Sequence, residues 1–202
     1  ALWNGEQETV ILVDLGAILI VVLAFGWALV DLSEKKTLTG TEWDLFAAQD
    51  IILRNSILNY GAFPIWNPYI NGGFPYVADP FLHIFNPFFA VPVLVLGEVG
   101  GTKMALLLAF LIAGIGQYLL GYYLGLGRFA RLWSAAVFMM NGQFVARFLQ
   151  GHYNFQPTAA WIPLVFLSAV MCFKSKHRWP VLVGSVAAAL MWLSGNPYYP
   201  LY

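Results

Sequence analysis

Charge is what this 202-residue chain most lacks. Asp, Glu, Lys and Arg together make up only 10% of it, against 60% hydrophobic residues, and the mean hydropathy is +0.70. A soluble domain carries roughly a quarter charged residues, so the composition points to an integral membrane protein. The formal net charge is zero and there is no basic tract, which argues against a nucleic-acid partner. Cysteine is almost absent: Cys172 stands alone in an apolar run. It can form no intrachain disulfide, belongs to no metal-ligand cluster and reads as a small buried or lipid-facing hydrophobe. Walker, Rossmann, HExxH and GxSxG patterns are also missing.

What is present is a series of long apolar runs. A helical span needs about 20 mostly apolar residues, and lipid leaves backbone polar groups no partner except one another. Spans are expected over residues 9–30, 102–124, 129–148, 155–173 and 179–195. The run 84–96 is shorter and carries Pro87 and Pro92, which suits an interfacial or re-entrant helix. The expected fold is therefore all-α: a bundle of about five spans with a long first external loop, 31–101, holding interfacial helices near 46–60 and 84–96. The first run is not a signal peptide, since it is too long and lacks a basic leader. The chain opens on Ala1 and ends without a hydrophilic tail, and reads as part of a larger membrane protein.

Basic residues orient the bundle. Arg128 and Arg131 lie in one short connection, and Lys174, Lys176 and Arg178 in another two spans later. Both connections should be cytoplasmic by the positive-inside rule, which places His152 and the 40–87 loop together outside. Lys35 and Lys36 then sit on the unfavoured side.

The stretch from Gly40 to Pro87 is polar, aromatic and punctuated by Gly and Pro. Loops of this length are functional or disordered, and its aromatic density argues against disorder. Within it, Phe46, Leu53 and Ile57 form one stripe of an amphipathic helix that Gly61 should end. Trp66, Tyr69 and Tyr76 suit headgroup depth. Asp44 is the sharpest candidate for chemistry: a carboxylate at the membrane surface can take a proton or help bind a metal, though a solvated loop aspartate reads equally from the sequence. Glu42 reads as facing water or the rim of the site. Asp50 is explained by an i,i+4 pair with Arg54. Asp79 can cap a helix beginning at Pro80, and that role is compatible with a functional one. His152 is either an interfacial polar group or part of the site. Arg147 either snorkels or binds a lipid phosphate. Asp14 is intramembrane unless the first span shifts to 15–32, which brings it to the interface. Gly121 and Gly125, with Gly114 and Gly116, read as close helix packing.

Taken together, Gly40-Thr-Glu-Trp-Asp44, Gly61-Ala-Phe-Pro-Ile-Trp-Asn-Pro68, Gly72-Gly-Phe-Pro75, Ala78-Asp-Pro80 and Ala160-Trp-Ile-Pro163 resemble the polytopic GT-C glycosyltransferases. Within them the chain looks most like the amino-terminal portion of the bacterial YfhO-like membrane proteins, over roughly residues 9–200. The resemblance implies transfer of a sugar from a polyprenyl-phosphate donor to a cell-surface acceptor at the outer face of a bacterial plasma membrane. It assigns the catalytic role to Asp44. Trp43, Trp66, Asn67, Tyr69, Asp79, Arg147 and His152 are then candidates for substrate contact. Relatives often carry a second acidic residue in the next external loop. This chain has His152 there, so a bridging divalent metal lacks support and no cofactor is assigned. Expected partners are the lipid-linked sugar, membrane lipids and, in the alternative reading, other subunits of a complex that this chain scaffolds without catalysis. A transporter is disfavoured by the lack of paired broken helices.

Overall fold

The computed structural model describes residues 5–30, 42–70, 72–152, 154–174 and 177–201. Lys35, Lys36, Lys176 and the Gly40-Thr41 start of the loop motif lie outside them. The described residues are mostly helical: α1 (Gly5–Val30), α2 (Trp43–Tyr60), α3 (Pro87–Tyr123), α4 (Arg128–Met139), α5 (Gly142–Leu149), α6 (Phe155–Ala159), α7 (Ile162–Lys174), α8 (Trp179–Trp192) and α9 (Tyr198–Leu201). Two short strands, β1 (Trp66–Asn67) and β2 (Phe74–Pro75), pair antiparallel with Trp66 opposite Pro75. Among the described residues, three helices are long and apolar enough to cross a bilayer: Thr9–Gly26, Pro87–Tyr123 and Phe155–Lys174. Phe129, Phe173, Val181 and Leu182 are among the many apolar side chains on the outer surface, as expected where lipid replaces water.

The core lies where α1, the second half of α3 and α4 meet, around Ile18, Val22, Phe110, Ala113, Tyr118 and Met139. Small residues set the spacing here. A methyl on Gly114 would come within 2.9 Å of Ile18 and 3.0 Å of Met139, so this glycine admits the close approach expected of it.

α3 is two helices joined at a corner. Gly97 has φ +85° and ψ 171°, a conformation open to glycine and strained for other residues. A methyl on Gly101 would fall 2.3 Å from the Val93 Cα. Eight residues apart on a continuous helix would be about 12 Å, so the short arm before Gly97 folds back on the long arm after it. The expected short helix at 84–96 therefore exists as a separate arm, but it begins three residues later. Asn86 caps it by accepting from the Phe88 N–H at 2.9 Å, with Pro87 at the first helical position. This is the favoured start of a helix. The cap expected at Asp79 is different in kind. Its Oδ1 accepts from the Phe81 N–H at 2.9 Å, but the segment that follows is a turn.

The continuous span expected over 129–148 is interrupted. α4 ends at Met139, and Asn141, with ψ 127°, caps α5 by accepting from the Gln143 N–H. An asparagine side chain that competes for backbone donors ends one helix and starts another. Hydropathy averages across such a break. The last expected span, 179–195, is a helix of 14 residues ending at Trp192.

The bundle has two polar poles. At one, Arg128 and Tyr118 hold Asp14, Arg131 lies over the Tyr118 and Tyr122 rings, and the Lys174 ammonium donates to the Tyr123 carbonyl. The other pole gathers α2, the β-hairpin, residues 76–86, the α5–α6 connection and the segment after α8. Asn86 Nδ2 donates to Ser194 Oγ at 2.8 Å, and Asn154 donates to the Gly195 carbonyl.

Candidate functional site

The second pole carries every residue that the sequence offered for chemistry. α2 starts at Trp43, earlier than the expected 46, and ends as expected at Gly61, whose φ of +62° lets its own N–H donate to the Ile57 carbonyl and the following Ala62 N–H donate to the Ser56 carbonyl. This start places Trp43 and Asp44 very differently. Trp43 is buried and packs edge-on against Phe148, with ring centres 5.4 Å apart. It is part of the core and gives no open face to a sugar, which corrects the expectation of substrate contact. Asp44, in the first turn, is exposed and has no hydrogen bond or ion pair among the described residues. A helix N-terminus favours a carboxylate at that place.

Glu42, expected to face water or the rim of the site, is partly exposed and lies against the later loop. Its Oε2 lies 2.9 Å from Nδ1 of His152, both side chains being partly exposed. The approach depends on Gly151. With φ +94°, its α-carbon sits so close to the start of α2 that a methyl would be 2.8 Å from the Glu42 nitrogen and 2.9 Å from the Trp43 nitrogen. Two polar segments that are far apart in sequence are thereby locked together.

Around this pair lies an aromatic hub. Phe155 receives the Arg147 guanidinium over its ring at 5.2 Å, with His152 at 5.6 Å and Tyr199 at 5.9 Å between ring centres. Burial pushes the Tyr199 phenol above its ordinary pKa, and the positive charge of Arg147 partly offsets that shift. Tyr199 gave no signal in the sequence beyond being a tyrosine after Pro197. Hydrophobic patterning does not show that the far end of the chain folds over this pole.

Trp66 and Tyr69 are exposed on the hairpin, as suits binding residues, whereas Asn67 between them is fully buried and its Oδ1 accepts from the Tyr69 N–H at 2.9 Å. Asn67 shapes the turn. Asp79 is half-buried and occupied with its own turn.

Asp50 also departs from its expected role. It is fully buried, and its partners are His83, with Nε2 at 2.7 Å from Oδ1, and the Thr102 hydroxyl, which donates to Oδ2. Arg54 turns instead to Glu98 at 3.4 Å, near the Gly97 corner. Phe46 and Phe89 flank His83. The Asp50 unit ties α2 to residues 79–86 and to the long arm of α3, so it fixes where Asp44 stands. Burial and the negative charges of Asp50 and Asp79 hold the Tyr76 phenol well above the ordinary range.

The arrangement offers an open carboxylate, a carboxylate–imidazole pair able to pass a proton and a guanidinium suited to phosphate. Among the described residues, no three His, Cys, Asp or Glu side chains are gathered to hold a metal. No family model, curated protein or solved structure matches the chain.

Proposed function

We propose that the chain belongs to a GT-C-type membrane glycosyltransferase that uses a polyprenyl-phosphate sugar at the outer face of a bacterial plasma membrane. The bundle then makes five crossings, with α4 and α5 forming one broken traverse and α8 the last. The pole with Asp44 faces out, and the pole with Arg128 and Lys174 faces the cytoplasm. The observation that carries this reading is the Glu42–His152 contact. It brings the acid-bearing first loop and the histidine of the later loop to one place, beside an exposed Asp44.

In the proposed reaction the acceptor hydroxyl attacks the anomeric carbon of the donor while Asp44 takes its proton. The bond from that carbon to the phosphate oxygen breaks, and the electron pair leaves with the polyprenyl phosphate. Arg147 faces the phosphate. His152, oriented by Glu42, hydrogen-bonds the sugar or the leaving oxygen.

Membranes carrying Asp44→Asn at matched abundance, assayed with a polyprenyl-phosphate sugar, should lose about a hundredfold to ten-thousandfold in rate, the usual cost of losing a general base. Near-normal turnover would sink the catalytic assignment and favour a noncatalytic scaffold. Thiol labelling in a Cys172→Ser background tests the topology. Cysteines at Asn59 and Gln150 should react from outside and one at Gly127 from inside.

A further inference from the structure

An open groove of about 450 Å³ lies at the far end of α2. Its walls include Ile52, Ser56, Tyr60, Pro64, Trp66 and Tyr69. Three of these rings are exposed: Tyr60 at 75%, Tyr69 at 69% and Trp66 at 56%. The sequence has no charged residue between Arg54 and Asp79, so the surface recognises nothing by charge. What it offers is flat apolar ring faces, hydroxyls and an indole N–H. Amphipathic aromatic side chains of this kind give large contact areas with a polar handle.

Trp66 is held in place rather than left to adapt. The β-hairpin fixes its backbone opposite Pro75. Its indole lies over Gly73, where a methyl would be 2.7 Å from Nε1, and Gly73 has φ +101°. The buried Asn67 behind it holds the turn, its Oδ1 accepting from the Tyr69 N–H at 2.9 Å, and the Tyr60, Tyr69 and Ser56 hydroxyls lie on the groove itself. A fixed, exposed ring with donors nearby and no charge matches a pyranose, whose C–H face stacks and whose hydroxyls both donate and accept.

We propose that this groove is a binding subsite for an uncharged oligosaccharide, the extended part of the acceptor. The assignment as acceptor rests on the glycosyltransferase reading; the glycan-binding site does not. Ser56 is twelve residues beyond Asp44 on one helix, or about 18 Å at 1.5 Å per residue. The groove therefore holds chain remote from the reacting hydroxyl, so long acceptors use it and short ones do not.

The test uses the full chain in lipid nanodiscs on an array of neutral oligosaccharides, followed by titration of the best binder by tryptophan fluorescence. Trp66→Tyr should bind within about threefold of the parent because a ring face remains. Trp66→Leu, which keeps apolarity without a flat face, should lose tenfold or more. Leu182→Ala, on the outer surface of α8 and away from both the groove and the candidate site, should bind unchanged. If the parent binds no neutral glycan above the level of Trp66→Leu, or Leu substitutes as well as Tyr, the proposal is overturned and the rings serve as a membrane-interface belt. If glycan binding holds while Asp44→Asn leaves transfer intact, the subsite stands and the transferase assignment falls. Where transfer is measured, Trp66→Leu should raise KM for long acceptors only; an equal rise for short ones contradicts the subsite.

Discussion

Asp14 and Asp50 are both buried carboxylates at opposite ends of one bundle, and they are satisfied in different ways. Asp14 meets a permanently charged partner, with the Arg128 guanidinium at 2.7 Å, plus the Tyr118 hydroxyl at 2.7 Å. Arg128 itself is half exposed, so this end keeps contact with water. Asp50 meets an imidazole and a hydroxyl, and both it and His83 are sealed from solvent. The first arrangement ties α1 to the last turns of α3 and the start of α4. The second makes an internal joint under the candidate site, where loss of Asp50 removes a buried carboxylate from both His83 and Thr102. Buried polar units are unforgiving in this way.

That contrast predicts unequal responses. Asp50→Ala should be the most damaging change, costing about 3–5 kcal/mol because the buried His83 imidazole loses its carboxylate in a dry site, while the Thr102 hydroxyl can still donate to the Glu98 carbonyl. Thermal unfolding in detergent reads this as a drop in midpoint, and Asp50→Ala with an unchanged midpoint would dissolve the distinction between the poles. The glycines sharpen it next. Gly151, Gly195 and Gly125 all have φ between +77° and +94°. Only the first two touch foreign backbone, however: a methyl on Gly195 would lie 2.6 Å from the Phe81 carbonyl oxygen, while Gly125 has nothing within 4 Å. Alanine should cost about 2–3 kcal/mol at Gly151 or Gly195, from strain plus overpacking, and about 1–2 kcal/mol at Gly125, from backbone strain alone. Equal losses at all three would mean the second pole is no tighter than the first.

How much of this was legible in the sequence follows from how local each signal is. Gly61 could be read because a C-terminal glycine acts through its own backbone and the preceding turn. The joining of the first loop to His152 could be read from the alternation of basic connections. Asp50 could not. Its partners lie 33 and 52 residues away, while a plausible local partner, Arg54, sat at the right helical spacing. A local pair on a helix surface contributes only a few tenths of a kcal/mol, and buried long-range bonds outweigh it. The start of α3 was legible in principle from Asn86-Pro87, but Asp79-Pro80 carries the same two-residue signal. Only the packing of Leu82 and Ile84 into the core with Leu53, Ile52 and Tyr76 decides between them.

Two weaker effects complete the comparison. Arg128→Ala should lower the unfolding midpoint less than Asp50→Ala does, because water reaches the vacated place. The double variant Asp14→Asn, Arg128→Ala should recover part of that loss, and a midpoint below that of the single variant would contradict the pairing. Tyr76→Phe should change stability least, since the buried phenol hydroxyl has no hydrogen-bond partner among the described residues. At high pH the order changes. The Tyr76 pKa is raised in the folded protein above the ordinary tyrosine value of about 10, so its neutral burial favours folding below about pH 10 and the gain is lost progressively above that. Tyr76→Phe should therefore unfold less readily than the parent in alkaline solution, as seen by circular dichroism across pH 9–11.

The corner at Gly97 has a consequence for how the chain enters a membrane. Pro87 to Tyr123 is 37 residues, which as one straight helix would be about 55 Å long, nearly twice the hydrocarbon thickness of about 30 Å. Insertion machinery that responds to apolar length meets one segment with two registers in which it could settle. The fold-back resolves that choice, because an arm doubled over at Gly97 cannot thread through with the rest. Residues 87–96 are thereby retained on the side where Asp50, His83 and Asn86 assemble. In the topology proposed above, one backbone torsion thus decides which stretch crosses, and a bulky residue at Gly97 would be expressed first as a protein with mixed orientations.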